Sequence, residues 1–198
     1  MEAGSPPVRE SVEFARIVAF TDGVFAIAIT LLVLSIEVPS SLGDAQLHDY
    51  LIDTWGQFFA YFLSFAVVGR FWISHHSLFS LLNDFDRRLL VLNLVYLSLI
   101  VLIPFPTELL GDFGDETDAV VLYAAVVGSA ALLSWLIVRA AVAGGHVLPD
   151  RRAEALRKAR GILRPAAVFY ASIPIALLSP AAGQIAWVAL LLIHPRRR

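Results

Sequence analysis

Arg16 and Asp22 stand in or beside the first long apolar run of the chain; Arg70, Trp72, His75 and His76 stand in the second, and Asn93 in the third. Ionisable side chains inside a bilayer are rare, face protein or water, and mark function. Two chemistries are open to this set: an interhelical hydrogen-bond network, or a proton relay through Asp22 and His75. Six residues separate Arg16 from Asp22, about 120° round a helix, so they do not pair and each needs a partner on another helix. The cluster ending in His75 and His76 reaches the same end of the chain's hairpin as Arg16 and Asp22, which makes an Asp–His–Trp network geometrically reasonable. The two histidines diverge by about 100° and neither has a His or acid at i+4, so they do not read as a metal site. With no cysteine there is no thiolate ligand, Cys nucleophile or disulfide. No hydrolase elbow, P-loop, dinucleotide fingerprint or paired-carboxylate signature occurs, which disfavours an enzyme and implies no cofactor.

The first run carries a second pattern. At about 100° per residue, Gly23, Ile27, Thr30, Leu34 and Glu37 fall in one narrow stripe, while Phe25, Leu32 and Ile36 make the other side bulky, suited to lipid or neighbouring helices. Such a stripe could line a passage if several copies surrounded an axis, because apolar rings gate by dewetting and hydroxyl rings replace part of an ion's hydration shell. Ordinary packing explains the same spacing, since Thr in a membrane helix commonly bonds its own backbone. Spacing alone leaves both open.

The elements that must position these residues follow from composition. Of 198 residues, 58% are hydrophobic and 16% charged, against averages of about 45–50% and about 25%. So large an apolar excess needs lipid as a second solvent. A near balance of 15 Lys+Arg against 17 Asp+Glu argues against a nucleic-acid binder that neutralises phosphates. The first apolar run starts too late and runs too long for a cleaved signal peptide.

Taking about 20 mostly apolar residues per crossing, the chain is read as one all-α, polytopic domain over 1–198, with spans at about 14–37, 55–79, 89–109, 119–142, 162–178 and 182–194. The last two form a hairpin broken at Ser179-Pro180-Ala181-Ala182-Gly183; a single re-entrant segment there would give five. Charges favour six. Arg9, Arg87 and Arg88, the cluster from Arg151 to Arg164, and Arg196 to Arg198 fall on one side. The opposite loops hold Asp44, Asp49 and Asp53, then Asp112, Asp115, Glu116 and Asp118, without Lys or Arg. Both termini are therefore predicted to be cytoplasmic. The linker 144–160 reads either as an amphipathic helix on the anionic inner leaflet or as a solvated connector, and His194 as interfacial.

The pattern Arg16-x-x-x-Phe20-Thr21-Asp22 before an apolar helix, then Trp72-x-x-His75 in the second span and Leu92-Asn93-Leu94 in the third, resembles the bacterial and lysosomal potassium-channel family known as transmembrane protein 175. The match covers about half the chain and is specific at Arg16, Phe20 and Asp22; Thr21 stands where the family usually has Ser, and the later spans match only in number, length and hydropathy. The resemblance implies a passive, potassium-preferring channel of the bacterial inner membrane, a homotetramer of six-span chains with the first helix lining the pore. It implies that Ile27 forms the apolar constriction, Thr30 the hydroxyl layer that prefers potassium, and Leu34 a further apolar layer. Arg16, Phe20, Asp22, Trp72 and His75 would form the network that orients the pore helix. Permeant potassium ions are the implied ligand. The reading from another class is a proton-linked secondary transporter using Asp22 and His75 as relay; the inverted repeat it favours is not visible. A membrane scaffold is a third reading.

Overall fold

The computed structural model describes residues 8–36, 38 and 47–192, with side chains for 12–36, 38 and 47–188. Glu37, Asp44 and His194, the side chain of Arg9 and the final Arg196 to Arg198 lie outside that set. The described chain is a helical bundle: α1 (Val8–Leu31), a 3-10 turn (Leu32–Ser35), α2 (Leu47–Asp53), α3 (Trp55–Phe79), α4 (Arg87–Leu102), α5 (Pro104–Asp112), α6 (Thr117–Ala143), α7 (Arg152–Ala176) and α8 (Pro180–Leu192).

Four segments among the described residues are long and apolar enough to cross a membrane: Val12–Ser35, Trp55–Phe79, Arg87–Asp112 and Thr117–Gly144. The third is two helices in series. Pro104 lacks an N–H and breaks the ladder after Ile103, yet the Thr107 N–H still reaches the Ile103 carbonyl at 3.1 Å, so the chain bends without leaving the bundle. α7 falls short of the same test because its first half is cationic, and α8 because its 13 residues span only about 20 Å. The linker 144–160 divides: from Arg152 onward it is helical and runs on as the first turns of α7, and before that it is turn and a single bridge. Pro165 and Pro174 sit inside α7 without ending it, and its packing on α6 and α8 supplies what their missing bonds do not.

Local sequence sets the junctions. Asp86 caps α4 by accepting from the Leu89 N–H at 2.7 Å. Gly145 ends the α6 turn at φ +80°, a left-handed conformation that a side chain disfavours. At the acidic end α3 and α5 approach backbone to backbone: a Cβ on Gly56 would stand 2.8 Å from the Gly111 carbonyl oxygen, so both glycines are spacers. Inside the bundle, Ser64 Oγ lies 3.0 Å from Tyr123 Oη and 2.8 Å from Thr107 Oγ1, joining α3, α6 and α5. Trp187 on α8 is fully buried beside Tyr123 and Phe169 and donates to Ser172 Oγ at 2.7 Å. Buried polar atoms so paired hold helices together where the apolar effect alone cannot, because lipid is as apolar as the core.

The basic loops meet at one end. Leu82 bridges to Val147, and the Asn83 N–H donates to the His146 carbonyl at 2.9 Å. The buried His146 ring sits between two carboxylates, Nδ1 2.6 Å from Asp84 and Nε2 3.2 Å from Asp86. Burial opposes the charged form of His146, but the two aspartates outweigh it and hold the imidazole above its ordinary 6.5. The folded protein thus keeps this proton to higher pH than the unfolded chain. Its stabilisation is fully present below the unfolded value and is lost as pH rises through the raised folded one. Thermal unfolding in detergent from about pH 6 to about pH 9 should show the wild type losing stability relative to His146→Gln. Parallel profiles for the two would remove the clamp from the account.

Candidate functional site

Helix α1 and the 3-10 turn that continues it have two unlike faces. Thr21, Phe25, Ala28, Leu32 and Ser35 are buried against α3, α4 and α5. Arg16, Phe20, Gly23, Ile27, Thr30 and Leu34 are exposed on a single copy, with Phe20 at 55%, Ile27 at 58% and Leu34 at 69%. Every residue of the sequence-derived stripe that is described therefore lies on the uncovered face, and Glu37 falls outside the described residues. The bulky side, Phe25 and Leu32, is packed inside the same copy, with Ile36 half-buried. The stripe extends towards the basic end through Phe20 and Arg16, which spacing alone did not add to it.

The Thr30 hydroxyl donates to the Ile27 carbonyl at 2.8 Å. With its proton committed to the backbone, Oγ1 offers only lone pairs outward, which suits a cation better than an anion.

The polar residues sort into two layers. In the outer one, Trp72 Nε1–H on α3 donates to Asp22 Oδ1 at 2.9 Å, and Trp72 touches the exposed His76 ring at 5.8 Å. In the inner one, His75, 3% exposed, donates from Nε2 to Asn93 Oδ1 at 2.9 Å, and the fully buried Asn93 donates from Nδ2 to Thr21 Oγ1 at 3.0 Å. The His75 ring is walled by Phe79 at 3.9 Å, Tyr96 at 5.5 Å and Phe25 at 5.9 Å.

The structure thus joins Asp22 to Trp72 but does not bond Asp22 to His75. Thr21 and Asp22 point about 100° apart on α1, so the buried histidine meets the Thr21 side, through Asn93, and the half-exposed tryptophan meets Asp22. Arg16 has no hydrogen bond or ion pair with any described residue, and Phe20 lies outside both layers. The sequence places Asn93 among the polar residues of the spans and in the Leu92-Asn93-Leu94 motif, and Thr21 beside Asp22 in the first, but assigns neither a bonding partner; a lone amide in an apolar helix is the available signal. No group of three or more His, Cys, Asp or Glu able to hold a metal occurs among the described residues.

Comparison with known proteins bears on this arrangement. Residues 16–104 match the family model described as endosomal/lysosomal potassium channel TMEM175. A curated protein of Streptomyces collinus named potassium channel is 38% identical over 165 residues, 76% of this chain and 78% of its own. One of Chamaesiphon minutus, also named potassium channel, is 42% identical over 52% of each chain. The crystal structure of a lysosomal potassium-selective channel TMEM175 homolog from Chamaesiphon minutus superposes with a TM-score of 0.82 at 28% identity, covering 91% of this chain and 95% of that one.

Proposed function

We infer, on the premise that this chain belongs to the TMEM175 potassium-channel family, that it conducts potassium passively through a central pore lined by α1. The protein is a membrane channel and not an enzyme. The observation that carries the pore assignment is the face of α1 left uncovered by its own copy, with Ile27, Thr30 and Leu34 upon it. One helix cannot enclose an aqueous path, so several copies must place this face about an axis, and identical heterologous contacts close into a ring. Four copies of six-span chains, with both termini on the cytoplasmic side of the cell membrane, are the assembly proposed. In it Ile27 forms the dry constriction, Thr30 an oxygen-bearing layer one turn outward, and Leu34 a further apolar ring. Asp22, Trp72, His75, Asn93 and Thr21 fix the rotation of α1, while Phe20 and Arg16 continue the lining towards the basic end. The sequence contains no TVGYG-type filter loop, so discrimination falls to side chains rather than to carbonyl rings.

Mass measurement of the purified protein in detergent should give four copies, and planar bilayers should show unitary potassium steps. Monomer alone with conduction intact would sink the ring. Thr30→Ala should lower preference for potassium over sodium, read as a shift in bi-ionic reversal potential, with unitary conductance largely kept because ring width is unchanged. An unaltered reversal potential would take selectivity away from this layer.

A further inference from the structure

Between α3 and the first half of α7 runs a cleft of about 610 Å³, with Ser134 of α6 in its lining. It exists because α7 packs on α6 and α8 rather than on α3. Its start is tied to the end of α3 by two bonds only, Arg151 to the Ser80 carbonyl at 3.2 Å and Lys158 to the Ser77 carbonyl at 3.0 Å. Beyond them the two helices stand apart. The walls deeper in are apolar, with Val67, Phe71 and Phe169 all buried.

Four guanidinium groups line the same cleft, Arg70, Arg157, Arg160 and Arg164, and no acidic side chain lines it. The nearby Glu154 is already bonded to Lys158 at 2.9 Å. None of the four has a hydrogen bond or salt bridge with a described residue. Arg70 is the most demanding, since it lies nine residues before Phe79, about 13 Å from the end of a membrane-spanning helix. A charge at that depth needs a counter-charge. Gly161 widens the cleft: a Cβ there would meet nothing within 4 Å.

We propose that this cleft is a binding site for an anionic phospholipid of the leaflet at the basic end. The phosphodiester sits among the four arginines and an acyl chain lies along Val67, Phe71 and Phe169. Both halves are needed: a soluble phosphate uses the cations and leaves the apolar walls empty, and a zwitterionic lipid fills the walls but brings its own cation to the mouth. Basic pockets between membrane helices on the positive side are suited to such head groups. The proposal does not depend on conduction, so its test reads binding alone.

The purified full chain in detergent is titrated with phosphatidylglycerol, with phosphatidylcholine of the same acyl chains, and with sodium phosphate, following the thermal unfolding midpoint. Phosphatidylglycerol alone should raise it. In Arg157→Gln/Arg160→Gln the half-saturating concentration should rise roughly twenty-fivefold, about fivefold for each cation removed, and Arg157→Lys/Arg160→Lys should recover most of the loss. Gly161→Leu, which fills open space and removes no charge, should abolish the response while leaving the lipid-free midpoint at or above that of the wild type. Equal stabilisation by phosphatidylcholine, equal stabilisation by phosphate, or a Gly161→Leu protein that responds like the wild type would each overturn the site.

Discussion

Ile27→Asn should increase potassium current at least about tenfold and bring potassium and sodium permeabilities close together. An apolar ring gives a cation nothing in exchange for its hydration shell, so the constriction proposed at Ile27 would be a barrier of desolvation. In the proposed tetramer four amide groups at the same level would supply carbonyl oxygens and admit water, and removing about 1.4 kcal/mol of barrier multiplies a rate tenfold. The loss of discrimination follows from the same change, because a wet ring lets either ion keep much of its shell. The substitution should fold, since Ile27 is 58% exposed on a single copy and packs against nothing that an amide would strand. Val33→Asn is the control: Val33 is also half exposed but stands in the 3-10 turn that continues α1, about a third of a turn from Leu34 and so off the proposed lining. Single-channel recording in potassium and in sodium distinguishes the two. An unchanged Ile27→Asn current beside an altered Val33→Asn current would move the pore to another face of the helix.

The largest loss of stability is expected from Asn93→Leu. Asn93 is fully buried and serves two partners at once, accepting from His75 and donating to Thr21. Leucine of similar size strands both, each in surroundings that offer no water, at a cost of roughly 1–3 kcal/mol apiece. The yield of the proposed tetramer and the unfolding midpoint in detergent should both drop. Trp72→Phe, which removes the single bond to Asp22 at a 40% exposed position, should cost clearly less. Combining Asn93→Leu with His75→Phe and Thr21→Val, so that no polar group is left stranded, should regain much of the loss, since replacing every member by apolar groups can be nearly neutral. An Asn93→Leu protein as stable as the wild type would mean that the inner layer does not hold α1.

How much of this was legible in the sequence depends on the range of the interaction. The helices Trp55–Phe79 and Thr117–Ala143 coincide with apolar runs within two residues, because hydropathy acts along the chain and needs no knowledge of neighbours. The third run reads as one segment by hydropathy, and its division at Ile103 comes from Pro104, which has no N–H to continue the ladder. The start of α7 was half legible: its helical composition was one of two readings of the linker, whereas its continuation into the fifth apolar run was not, because that depends on Ala155 and Ala159 being buried in the bundle. In the candidate site, the stripe on α1 was legible through the 100° rule, whereas the partners of His75 were not. Whether His75 meets Asp22 or Asn93 depends on the rotation of α1 against α3 and α4, set by Phe25, Ala28 and Leu32, and no spacing within α1 reports it.

One feature of α1 constrains how such a helix can change length. Its buried rail, Thr21, Phe25 and Ala28 and then Leu32 and Ser35 of the 3-10 turn, and its exposed rail, Phe20, Gly23, Ile27 and Thr30 and then Leu34 of that turn, both advance by alternating fours and threes. An inserted or deleted residue turns everything beyond it by about 100°, swinging Leu32 towards the axis or Leu34 into the bundle, whereas seven residues leave a drift of only about 20°. Indels within this helix should therefore survive selection only as whole heptads, each lengthening or shortening the conducting path by about 10 Å.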